Sequence, residues 1–171
     1  MFFSDNLKFS IKTKKFTFKC FSPQKVTKNY VDALNNNHFV RYNFKTNISL
    51  FDQKKYIEKT NKSKDKVIFG VFNGKYLIGT VGSQKKTQKK YYIGIFIFNK
   101  KYRGKGLSKV MIKKAAKILK RNCNISYLLA SVNEKNSISH KMFLSLGFKE
   151  NFIEPKKLKK DKIYSVKVSK I

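Results

Sequence analysis

The stretch from Tyr91 to Leu119 restricts what this chain can fold into more than any other part of it. Tyr91 to Phe98 is an almost unbroken apolar run, the pattern of a central strand buried on both faces. Leu107, Val110, Met111, Ala115, Ile118 and Leu119 then recur at helical spacing. Between strand and helix stands Asn99-Lys100-Lys101-Tyr102-Arg103-Gly104-Lys105-Gly106. Glycines at 104 and 106 let backbone N–H groups converge on an anion without obstruction by a Cβ. Those donors sit at a helix front, where unpaired amides and the macrodipole favour negative charge. Arg103 and Lys105 add countercharge. The physical product is a cradle for a pyrophosphate, although an ordinary turn with two glycines before a helix has the same composition. The segment has neither the Gly-x-x-x-x-Gly-Lys-Ser/Thr loop nor the Gly-x-Gly-x-x-Gly fingerprint of the two common nucleotide-binding turns.

The flanking segments supply the rest of a layered domain. Ile11 to Phe21 alternates apolar and polar residues, with Phe16, Phe18 and Cys20 on one face, and predicts a strand. Ser22-Pro23 opens a helix expected to run to Leu34, with Asn35 to Asn37 ending it. Ser49 and Asp52 resemble a capping box for a second helix ending near Thr60. Val67 to Phe72, Asn73-Gly74 and Tyr76 to Val81 form a hairpin pattern. After the central strand and its helix come a strand at Ile125 to Val132 and a short helix at Asn136 to Leu146. In that helix Ile138, Met142 and Leu146 are expected inward and His140 at solvent, with Gly147 as the stop. Phe148 and Ile163 to Val168 add closing strands. The expected architecture is one α/β domain over residues 1–171, a mixed central sheet flanked by helices, with residues 1–12 an extra strand or extension.

Charge and cysteines narrow the setting. The chain carries 40 basic residues against nine acidic ones, a net charge of +31. Only Arg41, Arg103 and Arg121 are arginines, and the lysines are scattered rather than confined to one block. Lys, Asn, Ile and Phe share A/T-rich codons, so composition bias with a solvated surface accounts for much of this. A selected polyanion partner is the other reading. Recognition of nucleic acid favours arginine for its bidentate geometry, so nucleic acid is not the expected partner. No run of 18 apolar residues is present, so no membrane span is expected, and Met1 to Leu7 does not resemble a signal peptide. Cys20 and Cys123 stand alone, which indicates neither a metal site nor a disulfide framework and suits the cytoplasm.

Taken together, Arg103 to Ser108 resembles motif A of the GNAT superfamily of N-acetyltransferases, Gln/Arg-x-x-Gly-x-Gly/Ala, with Ser108 in the place of its last small residue. Asn136, Ser139, Gly147 and Phe148 match the Asn-x-x-Ser/Ala…Gly-Phe signature of motif B at its usual spacing. The resemblance spans roughly residues 13–169. Val26-Thr27, Tyr30-Val31, Leu34-Asn35 and Val40-Arg41-Tyr42 further resemble a branch that includes ribosomal-protein N-terminal acetyltransferases and enzymes acetylating amino sugars of surface polysaccharides.

The resemblance implies a GNAT-like fold and a defined chemistry. A neutral amine attacks the thioester of acetyl-CoA directly, through a tetrahedral oxyanion, with no metal. It assigns the thioester and pantetheine to the main chain of Phe96, Ile97 and Phe98. The pyrophosphate falls to Arg103, Gly104, Lys105, Gly106, Leu107 and Ser108, and Asn136 both caps its helix and contacts the cosubstrate. Oxyanion stabilisation then comes from backbone donors. The position at which many relatives carry an acidic tyrosine is Phe143, which has no proton to give. Ser139 is the substitute, or else a helix-face residue packing beside CoA. A thiol of pKa near 8.5 leaves tolerably without such help. Tyr91-Tyr92 occupy the region where relatives often carry a basic glutamate. An amine of pKa about 7.7–8.0 is largely neutral without one, which favours an α-amine or amino sugar over lysine. His38, Arg41 and Tyr42 are the candidates for the acceptor, or else surface residues. The expected partner is a small-molecule amine, and the chain is expected as a monomer or homodimer. A protein N-terminal amine, or a polyanion-binding module without turnover, are the rival readings.

Overall fold

The computed structural model describes residues 11–12, 15–36, 47–153 and 160–171. The described strands are β1 (Ile11–Lys12), β2 (Thr17–Cys20), β3 (Lys66–Asn73), β4 (Tyr76–Lys85), β5 (Lys90–Ile97), β6 (Tyr127–Asn133), β7 (Lys149–Glu150) and β8 (Asp161–Lys167). The α-helices are α1 (Lys28–Asn35), α2 (Leu50–Asn61), α3 (Leu107–Cys123) and α4 (Ser137–Leu144). The strands form a mixed sheet in the order β1-β2-β3-β4-β5-β6-β8-β7. Pairing is antiparallel at β1/β2, β2/β3, β6/β8 and β7/β8, and parallel at β5/β6. This is the α/β architecture expected from the order of patterns along the chain. The chain divides into two compact units, one of residues 1–82 and 96–103, the other of 83–95 and 104–171.

In the first unit the β3–β4 hairpin turns at Asn73-Gly74, where Gly74 takes φ 56°, the left-handed region that excludes most side chains. Behind it lies an apolar cluster of Phe21, Val26, Tyr30, Val31, Ile57, Phe72 and Phe96. Helix α2 starts as its sequence predicts: Ser49 accepts from the Asp52 amide at 3.0 Å and donates to the Asp52 carboxylate at 2.6 Å. Two expectations are corrected. The strand expected at Ile11 to Phe21 is two strands folded back on each other, with Ile11 opposite Phe18. The helix expected from Pro23 to Leu34 is a 3-10 turn, Pro23–Lys25, followed by a separate α1. Ser22 makes no capping bond, whereas the Thr27 hydroxyl accepts from the Tyr30 amide at 3.3 Å, so the helix restarts behind the better cap.

In the second unit β6 pairs with β8 along its whole length, from Tyr127↔Lys167 to Asn133↔Asp161. Its parallel ladder with β5 covers only Lys90↔Tyr127, Tyr91↔Leu128 and Tyr92↔Leu129. Helix α3 buries Leu107, Met111, Ile112, Ala115, Ala116, Ile118 and Leu119 as one apolar stripe. In and just after α4, Leu146 is inward as expected, but the placement of Ile138 and Met142 is corrected. Ile138 is 75% exposed, Met142 half-buried, and the buried residues are Phe143 and Leu146. The ring of Phe143 packs edge-on against Phe148 at 4.9 Å, which fixes the inner face. At about 100° per residue, Ile138 lies about 140° around the helix from Phe143, whereas His140 lies about 60° away.

Candidate active site

The end of β5 and the turn that follows it are tied together by local contacts. Phe96 is buried and Phe98 half-buried, and Tyr30 packs on both rings, at 6.0 and 5.6 Å. The Tyr30 hydroxyl, hydrogen-bonded to Thr80 and Gln53, is held protonated by burial, which pushes its pKa up to about 12. Ile97 is half-buried, and its carbonyl accepts from Arg103 Nε at 2.8 Å. That bond clasps the turn onto the strand end. Within the turn the Asn99 side chain accepts from the Lys101 amide at 3.1 Å, and the Arg103 amide donates to the Lys100 carbonyl. Tyr102 anchors it further, its hydroxyl accepting from Asn73 Nδ2 at 2.7 Å.

Gly104 and Gly106 follow at φ 71° and 74°, and Gly106 is the residue that caps α3. Nothing lies within 4 Å of where a Cβ would stand on either, so the demand for glycine comes from backbone conformation and not from crowding. Gly104, Lys105 and Gly106 are exposed, Ser108 half-buried and Leu107 buried. Among the described residues no backbone carbonyl accepts from the amides of Gly104, Lys105 or Gly106, while the first helical bonds, from Lys109 and Val110, go to the Gly106 carbonyl. The amides of Leu107 and Ser108 belong to the first helical turn, whose donors have no partner inside the helix. The result is a run of open donors beside the exposed cations Arg103 and Lys105, with no acidic residue in the first turn. Chemically this suits a doubly charged phosphate group.

The second sequence signature lies on α4. The Asn136 side chain accepts from the Ser139 amide at 3.1 Å, so its capping role is as expected. Ser139 is half-buried. Phe143 is buried against Phe148 and offers only packing. His140 is a correction: it is half-buried, with Nδ1 2.8 Å from the Tyr164 hydroxyl and Nε2 3.0 and 3.1 Å from the carbonyls of Asn133 and Glu134. Carbonyls cannot donate, so Nε2 donates to them, and Nδ1 shares a hydrogen bond with the Tyr164 hydroxyl. The imidazole thereby pins the β6 end and the 133–136 turn, from which α4 starts, to β8. Helical spacing alone could have put His140 on the Phe143 side. Its partner Tyr164, distant in sequence, had no such signal. His38, Arg41 and Tyr42 lie outside the described residues.

Among the described residues no group of three His, Cys, Asp or Glu is arranged for a metal, and no helix is long and apolar enough to cross a membrane.

A strand running through a left-handed glycine turn into a helix without a side-chain cap is the arrangement that the resemblance of Arg103 to Ser108 calls for. The family model for GNAT acetyltransferases matches residues 30–148, and the chain belongs to that family. No curated protein sequence matches. Among solved structures, a GNAT-family acetyltransferase from Bacillus anthracis aligns with a TM-score of 0.78 at 16% identity, covering 94% of this chain and 99% of that one. Spermidine N-acetyltransferase from Vibrio cholerae, in complex with CoA and spermine, aligns at 0.76 and 19% identity, covering 92% and 98%. Ribosomal-protein-S5-alanine acetyltransferase from Vibrio fischeri aligns at 0.75 and 16%, covering 93% and 96%. At such identities the likeness is one of fold.

Proposed function

We propose that this protein transfers the acetyl group of acetyl-CoA to the primary amine of an amino sugar or a similar small molecule, in the cytoplasm. The observation that carries the reading is the open front of α3, where exposed amides at Gly104, Lys105 and Gly106 stand beside Arg103 and Lys105. In this reading the amides from Gly104 through Ser108 hold the pyrophosphate, and Leu107, buried beneath them, keeps the turn in place. Acetyl-CoA, when bound, supplies an activated thioester carbonyl. Main-chain groups of Phe96, Ile97 and Phe98 orient that carbonyl and the pantetheine arm, and donors there offset negative charge on its oxygen. Asn136 contacts the cosubstrate in addition to capping α4. The Ser139 hydroxyl hands a proton to the departing sulfur, a role Phe143 cannot fill. His38, Arg41 and Tyr42 meet the acceptor.

The acceptor class follows from charge. A net charge of +31 attracts anionic substrates such as nucleotide-linked sugars and repels polyamines and basic ribosomal proteins. With no carboxylate assigned as base, an amine of pKa near 8 loses its proton to water, whereas a lysine amine near 10.4 does not. Isothermal titration with CoA, followed by an acetylation screen of amino sugars, polyamines and peptide N-termini, tests the reading. CoA binding with turnover on amino sugars is expected. Absence of CoA binding removes the enzyme altogether, and preferential turnover of polyamines or peptides removes the acceptor assignment.

A further inference from the structure

Helix α3 carries a second feature on the face that the pyrophosphate turn does not use. A groove of about 460 Å³ is lined by Val110, Ala116, Val168 and Ile171 and rimmed by Lys113, Lys114, Lys117 and Lys120. The helix holds five lysines, one arginine and no acid. Lys109/Lys113, Lys113/Lys117 and Lys117/Arg121 stand four residues apart, so each is a like-charge neighbour that weakens the helix. Elsewhere the chain interleaves opposite charge among its lysines. Helix α2 sets Asp52 and Glu58 among its lysines, and Lys62 pairs with Glu58 at 2.8 Å. No acidic residue lines the α3 groove.

We infer that this groove is a docking surface for an acidic amphipathic segment of a partner protein. Apolar side chains of the segment sit on the Val110, Val168 and Ile171 floor, and its carboxylates meet the four lysines. Charge complementarity selects an anionic occupant and relieves the like-charge repulsion along α3. The lining discriminates among anions. It has no aromatic ring on which a nucleobase could stack and no guanidinium fork for a phosphate. It is also concave and apolar at the floor, which suits side chains inserted from a helix or strand better than a flat lipid headgroup layer.

The probe is a synthetic 18-residue peptide with Leu at i, i+3, i+4 and i+7 and Glu on the flanking positions, compared with a scrambled peptide of equal composition. Fluorescence anisotropy on the full chain at low salt is expected to show the patterned peptide binding roughly ten-fold more tightly than the scrambled one. Lys113→Glu with Lys117→Glu should remove that binding while CoA affinity stays unchanged, and Val110→Asp should erase the preference for the patterned peptide. Circular dichroism verifies that each variant is folded, and the lysine replacements remove like-charge pairs rather than core contacts. Equal binding of both peptides overturns the inference. So does tighter binding of a 20-nucleotide RNA or of anionic phosphatidylserine vesicles through the same lysines. Displacement of the peptide by CoA would also overturn it, by making the groove part of the cosubstrate site.

Discussion

The fronts of the four described α-helices divide into two kinds. Helices α1, α2 and α4 close their first turn with their own side chains: Thr27 accepts from Tyr30, Ser49 from Asp52 and Asn136 from Ser139. Helix α3, the longest, starts on a left-handed glycine with no side-chain cap. A cap contributes about 1 kcal/mol, so its omission has a cost that stability alone does not explain. What the omission leaves is a set of exposed amide donors beside two cations. The chain closes three helix fronts with side chains and leaves open the one where an anion is expected.

The most severe test of this contrast places an anion there permanently. Gly106→Asp puts a carboxylate at the front of α3, where the macrodipole favours it and offsets part of the roughly 1–2 kcal/mol cost of a left-handed side chain. The melting temperature should therefore move by only a few degrees, while CoA affinity falls about a thousand-fold, roughly 4 kcal/mol. Unchanged CoA affinity in a folded variant would end the assignment of the pyrophosphate to this turn.

The second test concerns a front that is closed and buried. Tyr30, whose amide is capped by Thr27, has its hydroxyl pKa raised to about 12 by desolvation first, with Thr80 and Gln53 acting the other way. The folded state therefore favours the protonated phenol. This stabilisation is complete below the unfolded pKa near 10 and is lost as pH rises to about 12. A shift of two units amounts to about 3 kcal/mol. Denaturation between pH 9 and 12 should show a steeper loss for the native chain than for Tyr30→Phe. Parallel curves would mean the hydroxyl is not buried as described.

Much of this was readable in the residues, and the exceptions share a cause. The Ser49 cap, the Asn73-Gly74 turn, the α3 stripe and the two glycines are local patterns, and local chemistry settles them. The break before α1 is not legible in the residues because Ser22-Pro23 and Thr27 are both good starts, and only the packing of Val26 and Tyr30 into the cluster with Phe21 chooses between them. The exposure of Ile138 is not legible because α4 spans only Ser137–Leu144, too short for its own periodicity to define a face. Phe148, beyond the helix, decides which side is inner. The partner of His140 comes from β8, 24 residues on, and no spacing rule reaches that far.

A smaller effect is expected at Asn136. Asn136→Ala removes the cap on α4 and should cost about 1 kcal/mol, lowering the melting temperature by about 2–4 °C. Asn136→Ser restores the cap without the longer amide. If Asn136 only caps, serine restores CoA affinity together with stability. If it also touches the cosubstrate, stability returns and CoA affinity does not, and the second outcome is expected.

The smallest effect lies at the opposite end of α3. Where the front of the helix is open to anions, Cys123 near its end is half-buried, and desolvation raises its thiol pKa against the opposing influence of Tyr91 and Lys85. Cys20 is raised in the same direction, again chiefly by burial. At pH 8 both thiols then hold less thiolate than a free cysteine, and thiolate is the reacting form. Iodoacetamide should modify the folded chain several-fold more slowly than it modifies glutathione at pH 8, and the rate should keep climbing above pH 9. In a Cys20→Ser variant, Cys123 reacting as fast as glutathione would place an anion-stabilising environment at the far end of α3 as well. The open front would then no longer be distinctive.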